Sequence, residues 1–171
     1  SVCDIIKDVY NRGGEIVTWN GVGFDMQLLG KTDPDIIEII TSKAHIDLMF
    51  HFTRKKGYMI GLGKVAEAFG VGSKTMTGLD AVKLWNQGEF QKVIDYNIND
   101  VKILMKVHRK VHKHSKIKWL TRANNITYLK VEPTELSVMN SIQVPRPPNK
   151  ETSWMSEEHR GICEWAWRVK V

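Results

Sequence analysis

Apolar positions near the start of the chain recur at helical spacing, with one interruption. From Cys3 to Tyr10 the residues Ile5, Ile6, Val9 and Tyr10 share one side of a helix, and Gly13-Gly14 closes it. The interruption is Glu15–Asn20, "EIVTWN", a short β-rich run that ends in the turn "GVG". "FDMQLL" then begins another helix. Asp33 and Pro34 supply a cap and a first helical residue for the next, which is expected to bury Ile36, Ile37, Ile39 and Ile40. "HIDLMF", His45–Phe50, reads as a second buried strand. "IGLGKVAEAFGVG" and "TGLDAVKLWNQG" read as helices, and Phe90 to about His114 as the longest one. Apolar strands without alternation, separated by helices, predict a parallel α/β sheet.

The pattern changes after the long helix. Two β-like runs, "KIKWLTR" and "NITYLKV", flank an Ala-Asn step and predict a hairpin. "TELSVMNSI" predicts a short helix, "VPRPPNK" a proline-rich linker, and Ser156 caps a last helical stretch. Residues 1–115 are thus expected to form the core, and 116–171 an extension of hairpin, linker and helix.

A length of 171 residues fits one domain with a small appendage, and 42% hydrophobic content is enough for a core. No apolar run is long enough to span a membrane, and the N-terminus lacks the basic-then-apolar order of a secretion signal. Only Cys3 and Cys163 occur, so neither a disulfide framework nor a cysteine zinc site is expected, and a cytoplasmic setting is.

Charge adds a sharper feature. The net charge is +6, yet nine Lys/Arg, from Lys102 to Lys130, lie between Val101 and Val131 with no acid among them. The remainder holds 16 bases against 19 acids, so the positive excess is confined to that segment. Such a patch is either an electrostatic footprint for a polyanion or a solvated helix face.

Three constellations could carry chemistry. In "WNGVGFD" a strand ends, a glycine-rich turn follows, and Asp25 opens a helix, at the end of a strand where α/β sheets gather their sites. Asp47 lies within an apolar strand, where an unpaired carboxylate is costly, and a structural partner is the favoured reading. In "IDYNINDV", Tyr96 and Asp100 stand four apart on one helix face, beside an apolar set of Val93, Ile94, Ile98, Val101, Leu104, Met105 and Val111. Weaker signals are His108 and His112, four apart among bases and read as exposed positions, and "GLGKVAEAFG", whose spacing fits no phosphate loop. Trp154, Trp165 and Trp167 are read as packing a small tail, with base stacking as the other option.

The series "TWNGVGFDMQLL", "HIDLMFHF", "LGKVAEAFGVGSKTMTGLDAVKLW" and "VIDYNINDVKILMKV" resembles the DEDD 3′–5′ exonucleases with an RNase H-like fold and a tyrosine in the third motif. More narrowly it is similar to predicted prokaryotic exonucleases related to the proofreading domain of family B DNA polymerases, with "WLTR" and "TSWM" as weaker tail matches. The resemblance covers roughly Glu15 to Met155. It implies metal-ligating and catalytic roles for Asp25 and Asp100, and a catalytic role for Tyr96 in orienting the attacking water. It implies substrate contacts for Asn20 and Phe24. Lys64 is a weaker substrate-contact candidate, and the basic run that begins with Lys102 and Lys106 is a candidate path for the substrate. The implied cofactor is a pair of Mg²⁺ or Mn²⁺ ions, and the implied partner a single-stranded 3′ end, of DNA before RNA.

The same resemblance implies an Asp-x-Glu motif on an earlier strand. Asp4, Asp8 and Glu15 have the wrong spacing, and Asp33-Pro34-Asp35 follows the second motif. The expectation is therefore an RNase H-like α/β fold lacking three N-terminal strands, inactive alone. Three explanations stay open: a fragment, a fold completed by another chain or a second copy, and a non-catalytic nucleic-acid-binding module.

Overall fold

The computed structural model describes residues 1–73, 76–148 and 152–170. Asn149 and Lys150 of the proline-rich stretch lie outside the described residues. Helix α1, Val2–Asn11, precedes strand β1, Ile16–Thr18, and helices α2, Asp25–Thr32, and α3, Asp35–Ile40, lead to strand β2, His45–Asp47. The two strands pair in parallel, Ile16 opposite His45 and Thr18 opposite Asp47. Helices α4, Leu48–Lys56, α5, Leu62–Phe69, α6, Gly78–Asn86, and α7, Phe90–His114, follow. The antiparallel hairpin of β3, Lys116–Leu120, and β4, Ile126–Lys130, comes next. The short helices α8, Val138–Ile142, α9, Glu157–Ile162, and α10, Trp165–Arg168, close the chain.

Four expectations are corrected. "HIDLMF" is half strand and half helix: Asp47 ends β2 and accepts the Phe50 backbone N–H, which starts α4. The helix is buried along its whole first part, Leu48 to Arg54, so it shows no polar stripe to separate it from a buried strand. Ile5 and Ile37 are exposed, because each stands off the face that their helices turn inward through Cys3 and through Ile36, Ile39 and Ile40. The Ala-Asn step is part of a longer connection, Thr121–Asn125, closed by bonds between Thr121 and Asn125. The fourth correction, to the stripe on α7, bears on the candidate site.

Two apolar clusters hold the elements. In one, Ile46, Leu48 and Phe52 meet Val65 and Ala66 of α5, Ile103, Val107 and Val111 of α7, and Ile117 and Trp119 of β3. In the other, Val22 and Met26 meet Ile36, Ile39, Phe50, Val138 and Ala166. The hairpin and tail thus share cores with β2 and α4. Arg54 fixes the tail: its guanidinium donates to the carbonyls of Ser141, Ile142, Val144 and Ala166, and lies over the Trp167 ring at 4.1 Å. Four N–H donors of one side chain satisfy four carbonyls, which suits the planar fork of arginine.

The sheet is closed on one side only. All three β2 residues are buried, and Ile46 bridges Ser137 beyond β2. All three β1 residues are half-buried, and no strand lies on the other edge of β1 among the described residues.

Candidate active site

The end of β1 is set by one buried carboxylate. Asp47, fully inaccessible, accepts the Asn20 N–H at 3.0 Å, the Val22 N–H at 2.9 Å and the Phe50 N–H at 3.0 Å. A buried charge is tolerated when hydrogen bonds of this kind surround it. Asp47 therefore does two things: it caps α4 and clamps the turn Asn20–Val22 to the end of β2. The structural role expected for it is the one found.

The clamped turn is tight. Asn20 takes a left-handed conformation, φ 69°, which asparagine tolerates better than most residues. At Gly21 a Cβ would stand 2.5 Å from the Thr18 Oγ1, and at Gly23 a Cβ would stand 2.5 Å from the Asn20 Oδ1 and 3.1 Å from the Trp165 ring. Glycine is needed at both places for lack of room. The Asn20 Oδ1 is buried with no hydrogen-bond partner among the described residues. Trp165 also stacks, tilted, on Phe50 at 5.8 Å, so the tail helps to pin the turn. The sequence offers no signal for that contact, which spans more than a hundred residues.

The chain then enters α2 with Phe24 and Asp25, both exposed. Asp25 is its first residue, where a carboxylate complements the helix N-terminus. Its pKa is nonetheless raised, first because the surrounding protein strips water from it, an effect its own backbone N–H partly opposes. The nearby charge of Asp47 adds to the rise. Beneath the turn, His45 is buried: its Nδ1 donates to the Ile40 carbonyl at 2.8 Å, and its Nε2 shares a hydrogen bond with the Thr18 hydroxyl at 2.8 Å. Burial holds its pKa below the usual histidine range.

Helix α7 brings the other residues. Tyr96 is buried and Asp100 half-buried, in line with buried Val93, Ile103, Val107 and Val111. The pair thus falls within the core-facing stripe, where the sequence places it beside the apolar set. The other apolar residues, Ile94, Ile98, Val101 and Met105, are 45–57% exposed and form a second stripe. At about 100° per residue the two stripes stand well over 90° apart around the helix. α7 packs against β1, and the Glu15 charge at the start of β1 reaches His108. His108 and His112 have their rings 4.3 Å apart, and no group of three or more His, Cys, Asp or Glu able to hold a metal occurs among the described residues.

The structure therefore gathers Asn20, Phe24 and Asp25 on one turn, and Tyr96 and Asp100 on the inner face of α7. It does not bring the lysines there. Lys102 and Lys106 are exposed on the far side of α7, about 120–160° around from Asp100. Lys64 lines a separate cavity with Tyr58, Trp119, Arg122 and Trp154. No helix is long and apolar enough to cross a membrane among the described residues.

A family model described as the RNase H superfamily matches residues 1–112. No curated protein and no solved structure gives a match to the chain. The family match covers more than half of the sequence, including the parallel strand pair, the clamped turn and almost all of α7. The chain belongs to the RNase H superfamily, with an RNase H-like α/β fold.

Proposed function

We propose that the chain is part of a metal-dependent 3′–5′ exonuclease of the DEDD group with a tyrosine in its third motif. Superfamily membership supports nucleic-acid hydrolysis in general terms. The observation that carries the finer reading is that two separate elements bear on β1. The Asp47-clamped turn closes its carboxyl end, and the inner face of α7 packs along it. On this reading Tyr96 orients the attacking water, and Asn20 and Phe24 meet the terminal nucleotide of a single strand, of DNA in preference to RNA. Lys102 and Lys106, on the outer face of α7, attract the polyanion without touching the reacting phosphate.

RNase H-like nucleases generally use divalent metals. Asp25 and Asp100 supply hard oxygen donors of the kind Mg²⁺ and Mn²⁺ prefer. Two carboxylates fall short of a cage for two ions, and no larger ligating group forms among the described residues. The residues of this chain alone do not fit a two-ion site. The remaining carboxylates belong, on this reading, to polypeptide outside these 171 residues, seated along the open edge of β1 and the exposed stripe of α7. That donor shortage, together with the basic run, also favours the second reading, a nucleic-acid-binding module without catalysis.

One experiment separates them. The coding DNA upstream of Ser1 is read for an in-frame strand bearing Asp-x-Glu, and the product is assayed on a 5′-labelled single strand in Mn²⁺. Stepwise shortening that is lost in Asp100→Asn is the expected result. Tight binding without shortening, in a product that includes an Asp-x-Glu strand, would favour the binding module. Robust shortening by the 171 residues alone would show that no further carboxylates are needed.

A further inference from the structure

A cavity of about 460 Å³ opens between the start of α5, the end of β3 and the segment around Trp154. Its walls are aromatic and fixed. Buried Phe52 meets Tyr58 edge-on at 5.3 Å and Trp119 edge-on at 4.9 Å, and Tyr58 meets Trp154 edge-on at 5.1 Å. The series runs outward from Trp119, 7% exposed, to Trp154, 51% exposed. A large indole surface is thus held at the mouth by a ring behind it. Two cations stand on the rim, Lys64 and Arg122, the latter with its guanidinium 4.9 Å from the Trp154 ring centroid. No acid is among the described residues that line it.

This combination selects a class of ligand. A flat unsaturated ring gains from stacking on tryptophan and tyrosine. Two cations with no acid partner among the described residues disfavour a cationic ligand and favour an anion. Both needs are met by one nucleotide, and the cavity is of a size that holds small ligands. We propose that the cavity binds one unstacked nucleotide of a single strand, with its base against Trp154 and Tyr58 and its phosphate on Lys64 and Arg122. The proposal rests on the nucleic-acid reading above but not on catalysis. It makes the cavity a second foothold for the strand, away from the Asn20–Asp25 turn. It gives Trp154 the base-stacking role, while Trp165 and Trp167 pack inside the fold.

The test is fluorescence anisotropy with a labelled oligothymidylate of about ten nucleotides, in chelator so that nothing is cleaved. Trp154→Ala is expected to weaken binding about five- to a hundredfold, and Trp154→Phe to restore most of it. Arg122→Ala and Lys64→Ala should each lower the slope of log affinity against log salt by about one phosphate contact. The side chains of Trp154, Arg122 and Lys64 all reach the surface, so urea midpoints should not move. Unchanged affinity in a folded Trp154→Ala protein would overturn the assignment. So would free thymidine monophosphate competing as tightly as the strand, which would make the cavity a mononucleotide site. Because the readout is binding in chelator, failure of the exonuclease reading leaves it unaffected.

Discussion

Replacing Asp47 tests the physical basis of the candidate site most directly. Its Oδ1 accepts two backbone N–H groups, from Asn20 and Phe50, and its Oδ2 accepts a third, from Val22. In Asp47→Asn the amide keeps one acceptor. Pointed at Asn20 and Phe50, it turns its NH₂ toward the Val22 N–H, two donors facing one another inside the protein. A buried donor left without an acceptor costs about 1–3 kcal/mol, and the bonds that remain lose their charge assistance. The expected loss is about 2–3 kcal/mol. Asp47→Ala removes the α4 cap as well, worth about 1 kcal/mol, and orphans the Asn20 and Val22 N–H groups at about 1–3 kcal/mol each, for a total of about 3–7 kcal/mol.

The assay is urea unfolding followed by circular dichroism, with the midpoint and slope fitted together. The order wild type, Asn, Ala in falling midpoint at constant slope is expected. A midpoint for Asp47→Ala within about 0.5 kcal/mol of wild type, the range of surface substitutions, would refute the clamp. So would an Asn variant as damaging as Ala, since the argument depends on a retained acceptor for two of the three donors.

The other predictions concern the same region. His51 is buried, with its pKa lowered to about 4, chiefly by burial and then by Lys55. Its folded pKa lies below its unfolded value, so its contribution is intact above pH 6.5 and lost as the pH falls toward 4. That amounts to about 3 kcal/mol at 1.36 kcal/mol per pH unit. His45 acts in the same direction. Unfolding free energies that stay flat from pH 6.5 to 4 would contradict both. Gly23→Ala forces a Cβ against the Asn20 Oδ1 and the Trp165 ring, and should cost about 1–3 kcal/mol; a neutral urea midpoint would mean that the turn gives way freely. Ile98→Lys and Val101→Lys, on the exposed stripe of α7, should leave the stability of these 171 residues within about 0.5 kcal/mol. A larger loss would show the stripe to be covered already.

Much of this molecule was readable where local chemistry decides. The cap Ser156, the glycine Gly70 that closes α5, and the length of α7 all follow from short-range signals. The turn "NGVG" and Asp25 at a helix start were also legible, because a left-handed asparagine and close-packed glycines leave a mark in the residue types. What was lost depended on burial from all sides. "LMFHF" looks like a strand because every position is apolar or shielded, and only the Asp47 cap marks it as helical. The four Ile residues of "PDIIEII" could not all face inward at 3.6 residues per turn, and Ile37 stays out. The contacts of Trp165 with Gly23, and of Arg54 with the tail carbonyls, join residues too far apart in sequence for any local rule to find them.

Helix α7 carries two apolar stripes, and they differ in how far they are covered. A helix that needs one neighbour carries one apolar stripe. α7 carries two, and the sequence merged them because Val93, Ile94, Ile98 and Val101 blend into one broad apolar set. The inner stripe is satisfied by α5, β1 and β3. The outer one leaves Ile94, Ile98, Val101 and Met105 about half exposed. Covering them would yield about 3–6 kcal/mol, taking half of the 1.5–3 kcal/mol for burying each side chain. His108 stands between the two stripes, its pKa lowered chiefly by burial, with the charge of Glu15 opposing that shift. The edge of β1 is open as well. A strand laid along it would have one of its ends beside Asn20–Asp25. On the exonuclease reading proposed above, the open edge of β1 is therefore the place from which a further carboxylate could approach Asp25.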